Sequence, residues 1–211
     1  MDVTRFTLVR HALVEVSARA VIYGSMDVPL CDTTVQGEAD LYRWLAARLP
    51  RPAHWVATSL VRTQATAAAI FAAGYPDQEL QLEPALAEQS MGEWQGATHD
   101  DFATYLSLPP HPFWPHAAAE RPPGGESFDD LRDRVAPVME RLARDFVGQD
   151  VVIVAHGGSI RAALAHALRL DAHQALHFSI KNLSVTRLEK HGPDWRVGNV
   201  NEEPWVMPDV L

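Results

Sequence analysis

Cysteine is almost absent from this chain of 211 residues. Cys31 stands alone, so no internal disulfide can form, and a reducing, cytoplasmic setting is expected. Lysine is nearly missing as well: of 18 basic residues only Lys181 and Lys190 are lysine and 16 are arginine. Any anion site must therefore rely on the planar guanidinium fork, which grips phosphate or carboxylate at two points. No apolar run approaches the roughly 20 residues of a membrane span. The opening, MDVTRFTLVRH, lacks the basic, apolar and small-residue segments of a secretory signal. Positive charge is the minority sign, and a net charge of −9 argues against nucleic acid or anionic lipid as a partner. Hydrophobic residues make up 47% of the chain and are evenly spread. That excludes bulk disorder, and the length suits one domain of α/β type over residues 1–211.

What is present alternates between two periods. Phe6–Val9, Trp55–Ala57 and Val151–Ala155 are short continuous apolar runs, the pattern of strands buried on both faces of a parallel sheet. Each is followed by helical spacing. Leu41, Leu45 and Leu49 recur every four residues, with Tyr42 and Trp44 beside them. An alanine-rich stretch from Arg62 to Ala73 stops at Gly74. Phe128, Leu131, Val135, Val138, Leu142 and Phe146 form one stripe, entered by a capping box at Ser127 and Asp130. Pro137 is expected to kink or break that helix. Ile160, Ala163, Leu164, Ala167 and Leu168 give a further helix face, and residues 183–188 and 195–200 read as a closing pair of strands around His191-Gly192-Pro193. The order predicts a three-layer α/β/α, doubly wound, mostly parallel sheet. Between about residues 96 and 125 the pattern fails: six of the 15 prolines fall there, with His111, Phe113, Trp114 and His116. That segment reads as a lid-like insertion over a pocket, with Phe113 and Trp114 its substrate-facing residues.

In open α/β sheets ligands bind beyond the carboxyl ends of the strands. Those ends carry Arg10-His11, Ser59 through Arg62, and His156-Gly157-Gly158. Two histidines, two arginines and the N–H groups of a helix start at Gly157 would converge on one edge, a set that suits a phosphate. Nearby cations should lower a histidine's pKa and leave one ring nitrogen free to attack phosphorus.

These residues carry a resemblance. Leu8-Val9-Arg10-His11 resembles the opening signature of the histidine phosphatase, or phosphoglycerate mutase-like, superfamily, and the likeness continues through Tyr23-Gly24, Asp27, Pro29-Leu30 and Gly37. Ser59-Leu60-Val61-Arg62-Thr63 with Thr66-Ala67 is similar to its second arginine motif, and Leu86-Ala87-Glu88 with Gly92, Trp94 and Gly96 to its acidic motif. Pro123 through Ser127 with Arg134-Val135, and Val152 through Gly158, complete six landmarks in order. The resemblance implies a metal-independent phosphomonoesterase that needs no cofactor and takes a small phosphorylated metabolite. His11 would be the nucleophile that becomes phosphohistidine. Arg10, Arg62, His156 and Gly157 would hold the phosphoryl oxygens, with Ser17 at a place the family usually gives to asparagine. Glu88 would protonate the leaving alcohol and then activate water, a task for which partial burial can raise a carboxyl pKa. Ala12, Leu13, Val14 and Gln95 depart from the family's usual residues. The stretch from Tyr23 to Leu30 resembles α-ribazole phosphatases faintly.

Other readings stand beside this one. Cys31 has Gly37 six residues on where a tyrosine phosphatase loop needs arginine, no phosphate-binding G-x-x-x-x-G-K loop exists, and Gly157-Gly158-Ser159 lacks the second glycine of a serine hydrolase elbow. The spacing of His99, His111, His116, His166, His173 and His177 matches no zinc motif, so packing or surface roles are expected. A phosphoglycerate mutase is the runner-up, and a silent phosphate-binding module the third reading. The insertion supplies only Arg121 as a cation, which favours hydrolysis of an ester with an apolar or ring-bearing leaving group. A homodimer is left open.

Overall fold

The structure, a computed structural model, describes residues 2–204. Its strands are β1 (Val3–Arg10), β2 (His54–Ala57), β3 (Leu80–Leu82), β4 (Asp150–Ala155), β5 (Val185–His191) and β6 (Asp194–Glu202). Its helices are α1 (Val16–Arg19), α2 (Asp32–Gly37), α3 (Ala39–Arg48), α4 (Val61–Ala72), α5 (His99–Phe102), α6 (Phe128–Asp145), α7 (Gly157–Leu168) and α8 (Ala172–Ala175). The strands form one sheet in the order β3-β2-β4-β1-β5-β6. The first four run parallel, whereas β5 is antiparallel to β1 and β6 to β5.

Side chains that alternate along a strand address opposite layers. Val151 and Ile153 of β4 join the cluster with Leu131 and Val135 of α6 and Ile160 and Leu164 of α7. Val152 and Val154 join Leu45 of α3 and Ala67 and Ile70 of α4 on the other face. Each such valine, leucine or isoleucine side chain, wholly buried, contributes roughly 1.5–3 kcal/mol. This double burial is why the strand runs are continuously apolar.

The chain leaves β1 towards the α3/α4 layer and leaves β4 towards the α7 layer. The crevice beyond the adjacent ends of β1 and β4 is therefore a switch point, where doubly wound sheets bind ligands. Register pairs Arg10 with Ala155, so His11 and His156 leave the sheet side by side.

The break expected as one outcome at Pro137 is not found, and one strand lies outside the expected pattern. Pro137 neither ends nor splits α6, which runs unbroken through 18 residues. Proline lacks the N–H that would bond the carbonyl of residue 133. Pro137 and Asp133 both lie on the exposed face, where the unbonded carbonyl is not shut away from solvent. The short edge strand β3, Leu80-Gln81-Leu82, has no apolar run to announce it; it exists by pairing with β2. The closing strands form a hairpin as expected, shifted to Val185–His191 and Asp194–Glu202 around Gly192-Pro193. No helix among the described residues is long and apolar enough to cross a membrane.

Candidate active site

At the end of β1, His11 is 1% exposed, and its backbone is held on three sides. Its N–H donates to Ala155 O (2.9 Å), its carbonyl accepts from Asn182 Nδ2 (2.7 Å), and the next amide, Ala12 N, donates to Thr66 Oγ1 (3.0 Å). The ring's Nδ1 lies 2.7 Å from Ala12 O. A carbonyl only accepts, so Nδ1 carries the proton and Nε2 keeps its lone pair. Burial, and then the charges of Arg62 and Arg10, hold the imidazole well below the usual histidine pKa.

His156 stands 5.1 Å away, ring centre to ring centre. Arg62 Nε donates to its Nδ1 (3.3 Å), which leaves the proton on Nε2, facing Thr58 Oγ1 at 2.9 Å. Burial, then the charges of His11, Arg62 and Arg10, keep this ring neutral too. Arg62 enters from the first turn of α4 and is wholly buried. Its Nη1 and Nη2 donate to the carbonyls of Met26 (2.6 Å) and Gly24 (2.9 Å), and its guanidinium lies 5.4 Å from the Tyr23 ring. Three of its five N–H donors are thus engaged. Arg10 donates once, from Nη1 to Ile180 O (2.5 Å), while its buried Nε has no partner among the described residues. Orphaned buried donors are costly, and a guanidinium nitrogen left open at this edge is what an anion site requires.

Glu88 closes the site from the loop after β3. Its Oε2 accepts from Gly158 N (3.1 Å) in the first turn of α7, and its Oε1 from Gln89 N (2.9 Å). Glycine at 158 is a steric requirement: a Cβ there would collide with Glu88 Oε1 and stand 3.0 Å from Leu131 Cδ2. The Glu88 loop is clamped by Arg134, which donates to the carbonyls of Ala85 (2.9 Å) and Ala87 (3.2 Å) and grips Glu126 through two bonds (2.7 and 2.8 Å). Glu126 in turn accepts from Ser90 N (3.0 Å). Gly92 crosses the backbone at Gly125 with φ +49°, so closely that neither position has room for a side chain.

The other expected residues divide. Gly157 lies between the Arg10 and Arg161 guanidiniums: a Cβ there would stand 3.5 Å from Arg10 Nε and 3.0 Å from Arg161 Nη1. Trp114 lines a cavity of about 220 Å³ together with Arg10, Glu88, Tyr23, Met91 and Phe102. Phe113 does not; it is 67% exposed and packs beside His111 and His177. Ser17 is exposed on α1 and makes no hydrogen bond to the site among the described residues. Gln95, where the family usually has glutamate, accepts through Oε1 from the Ser25 amide (3.2 Å) and hydroxyl (2.8 Å), bonds a carboxylate could equally accept. Thr58, Asn182, Glu126 and Arg161 are not among the site residues expected from sequence. Buried Arg161 stacks on Trp114 at 4.4 Å and donates to Phe178 O and Gly157 O; burial lowers it to about 10, so it remains a cation at neutral pH.

The two neutral histidines have a consequence for stability. Their pKa lies below the unfolded value of about 6.5, so below that pH the unfolded chain binds more protons and stability falls as pH falls. The slope is about 1.4 kcal/mol per pH unit for each histidine down to its folded-state pKa. We expect urea midpoints to drop between pH 7 and pH 5, and His156→Asn to lower the slope by about one proton. An unchanged slope in that variant would show that His156 titrates normally.

Comparison with known proteins places this arrangement. The family described as "Histidine phosphatase superfamily (branch 1)" matches residues 6–203. A glucosyl-3-phosphoglycerate phosphatase of Mycolicibacterium vanbaalenii is 33% identical over 180 residues, covering 81% of this chain and 76% of that protein. A 2,3-bisphosphoglycerate-dependent phosphoglycerate mutase of a Methylobacterium species is 32% identical, covering 74% of this chain and 76% of its own length. The solved structure of a mycobacterial glucosyl-3-phosphoglycerate phosphatase shares the fold with a TM-score of 0.77 at 24% identity, over 95% of this chain and 100% of that one. The chain belongs to the histidine phosphatase superfamily.

Proposed function

We propose that this protein is a metal-independent phosphatase that hydrolyses a small organic phosphomonoester through a phosphohistidine intermediate. The observation that carries the proposal is the His11 ring: a proton fixed on Nδ1 by Ala12 O, a free lone pair on Nε2, and two arginine charges beside it. His11 Nε2 attacks phosphorus, and the bond from phosphorus to the leaving oxygen breaks as Glu88, protonated, gives that oxygen its proton. Glu88, now a carboxylate, takes a proton from water; the oxygen attacks phosphorus, the P–N bond breaks, and inorganic phosphate leaves. The free N–H groups of Arg10 and Arg62 and the α7 amides at Gly157 stabilise the oxygens without a metal. His156 receives Arg62 Nε and so orients that fork; its own contact with a phosphoryl oxygen requires its Nε2–H to leave Thr58.

The leaving group is read from the cavity. Its walls include Val21, Ile22, Met91, Phe102 and Trp114, and Arg10 is its only lysine or arginine among the described residues. That lining favours an apolar or ring-bearing alcohol over a carboxylated one. It equally disfavours a mutase, which must seat a phosphoglycerate carboxylate. The deciding experiment is hydrolysis of an aryl phosphate in the presence of a chelator, followed by 3-phosphoglycerate with a bisphosphate primer. Release of phosphate in chelator is the expected result. Absence of turnover would sink the proposal, and isomerisation faster than phosphate release would replace it with the mutase.

A further inference from the structure

Far apart in sequence, His111, His173 and His177 meet in space. His173 and His177 are spaced i, i+4 on α8 and the turn that follows it, both exposed, so their rings rise from one face. Two histidines at that spacing can reach one ion, as they do in helical zinc motifs. His111 arrives from the proline-rich insertion. Its ring centre lies 4.4 Å from that of His173 and 4.6 Å from that of His177. One ligand nitrogen from each lies within 4.8 Å of the other two.

The second observation concerns His111 itself. It is 5% exposed, its Nδ1 accepts from the Phe113 amide (3.1 Å), and its buried Nε2 makes no well-formed hydrogen bond among the described residues, with only the His173 backbone as a weak polar neighbour of the ring. A packing role alone does not explain a buried imidazole nitrogen that lacks a well-formed hydrogen bond and faces two other imidazoles. The Phe113 ring stands 5.5 Å from the His177 ring and 5.9 Å from His111, covering one side.

The geometry points to a three-histidine site for a first-row divalent cation, Zn²⁺ foremost, at His111, His173 and His177. Imidazole suits such ions, and three neutral nitrogens leave a fourth tetrahedral position for water or another ligand. Tetrahedral bonds of about 2.0–2.1 Å place nitrogens roughly 3.4 Å apart, so the rings close by at most about 1.4 Å. The exposed His173 and His177 are free to rotate inwards. On ligation the His111 proton moves from Nε2 to Nδ1, and the bond that Nδ1 now receives from the Phe113 amide is given up. Three residues beyond His111, Trp114 begins the Trp114-Pro115-His116 wall of the cavity. The ion therefore ties that wall to α8. This inference is independent of the phosphatase reading, because none of the three histidines takes part in the phosphoryl chemistry.

The test uses the full chain without a histidine tag, titrated with Zn²⁺ against a chromophoric chelator of micromolar affinity. One equivalent is expected to bind, and His173→Ala or His177→Ala to weaken it at least about tenfold, since loss of an outer-shell partner alone costs that much. Zn²⁺ should raise the melting temperature of the native chain and leave that of the double variant unchanged. Both substitutions are at exposed positions, so the variants fold. Equal affinity in the double variant, or no equivalent captured from the chelator, overturns the site.

Discussion

His11→Ala should reduce turnover of any phosphomonoester by at least about 10⁴-fold, because the substitution removes the atom proposed to form the covalent bond. The remaining arginines and helix amides still bind phosphate, so substrate affinity should survive while kcat collapses. Rapid quenching supplies a second readout. The native enzyme mixed with labelled ester should yield a phosphorylated protein stable in alkali and labile in acid, as expected for a phosphoramidate, and the variant should yield none. His11→Ala leaves the buried Ala12 carbonyl without its donor, at a cost of about 1–3 kcal/mol, so melting curves must accompany the kinetics. Turnover above about 1% in a folded variant would remove His11 from the role of nucleophile.

The site is legible in the sequence to the extent that chemistry coincides with strand ends. β1 and β4 are buried on both faces, so their apolar runs stop where the sheet stops, and the polar residues that follow, Arg10-His11 and His156-Gly157, stand at the crevice. Arg62 is legible for the same reason after β2. What is not legible depends on pairs distant in sequence. Asn182 holds His11 through a single bond across 171 positions, and nothing local marks it. Glu126 and Arg134 fall within a recognised landmark, but their task, to clamp the carbonyls of Ala85 and Ala87, has no sequence signature. β3 owes its existence to β2, and Pro137 is tolerated because of the face on which it falls. The insertion divides for the same reason: Trp114 turns to the cavity and stacks on Arg161, while its neighbour Phe113 turns outwards to His111 and His177, a meeting of insertion and α8 that no local spacing predicts.

The charge balance also takes a different meaning at this scale. The chain is acidic overall, yet Arg10, Arg62 and Arg161 cluster around the α7 start, with the Glu88 carboxyl group bonded there. Burial strengthens that local field, and the acidic exterior discourages polyanions. Arginine rather than lysine fits the task, because these guanidiniums sit among carbonyls and an aromatic face without losing their charge.

Glu88→Gln should separate the leaving groups. The substituted amide keeps the length and the acceptor oxygen but cannot deliver a proton, so the effect should scale with the basicity of the departing oxygen. For an alkyl phosphate, whose alkoxide leaves poorly, kcat/KM should fall by about 10²–10⁴-fold. For a nitrophenyl phosphate, whose phenolate leaves unaided, the first step should be nearly normal, and labelled phosphoenzyme should accumulate because water attack then lacks its base. Gly158→Ala offers the same test without touching the carboxyl. The added methyl would displace the Glu88 side chain from the α7 amide that now receives it, so alkyl esters should again lose far more than aryl esters. Misplacement of a catalytic group by about 1 Å can cost roughly 10²-fold, which sets the expected size of that loss. Equal losses on both ester classes in Glu88→Gln would assign Glu88 to binding and leave the proton to another group.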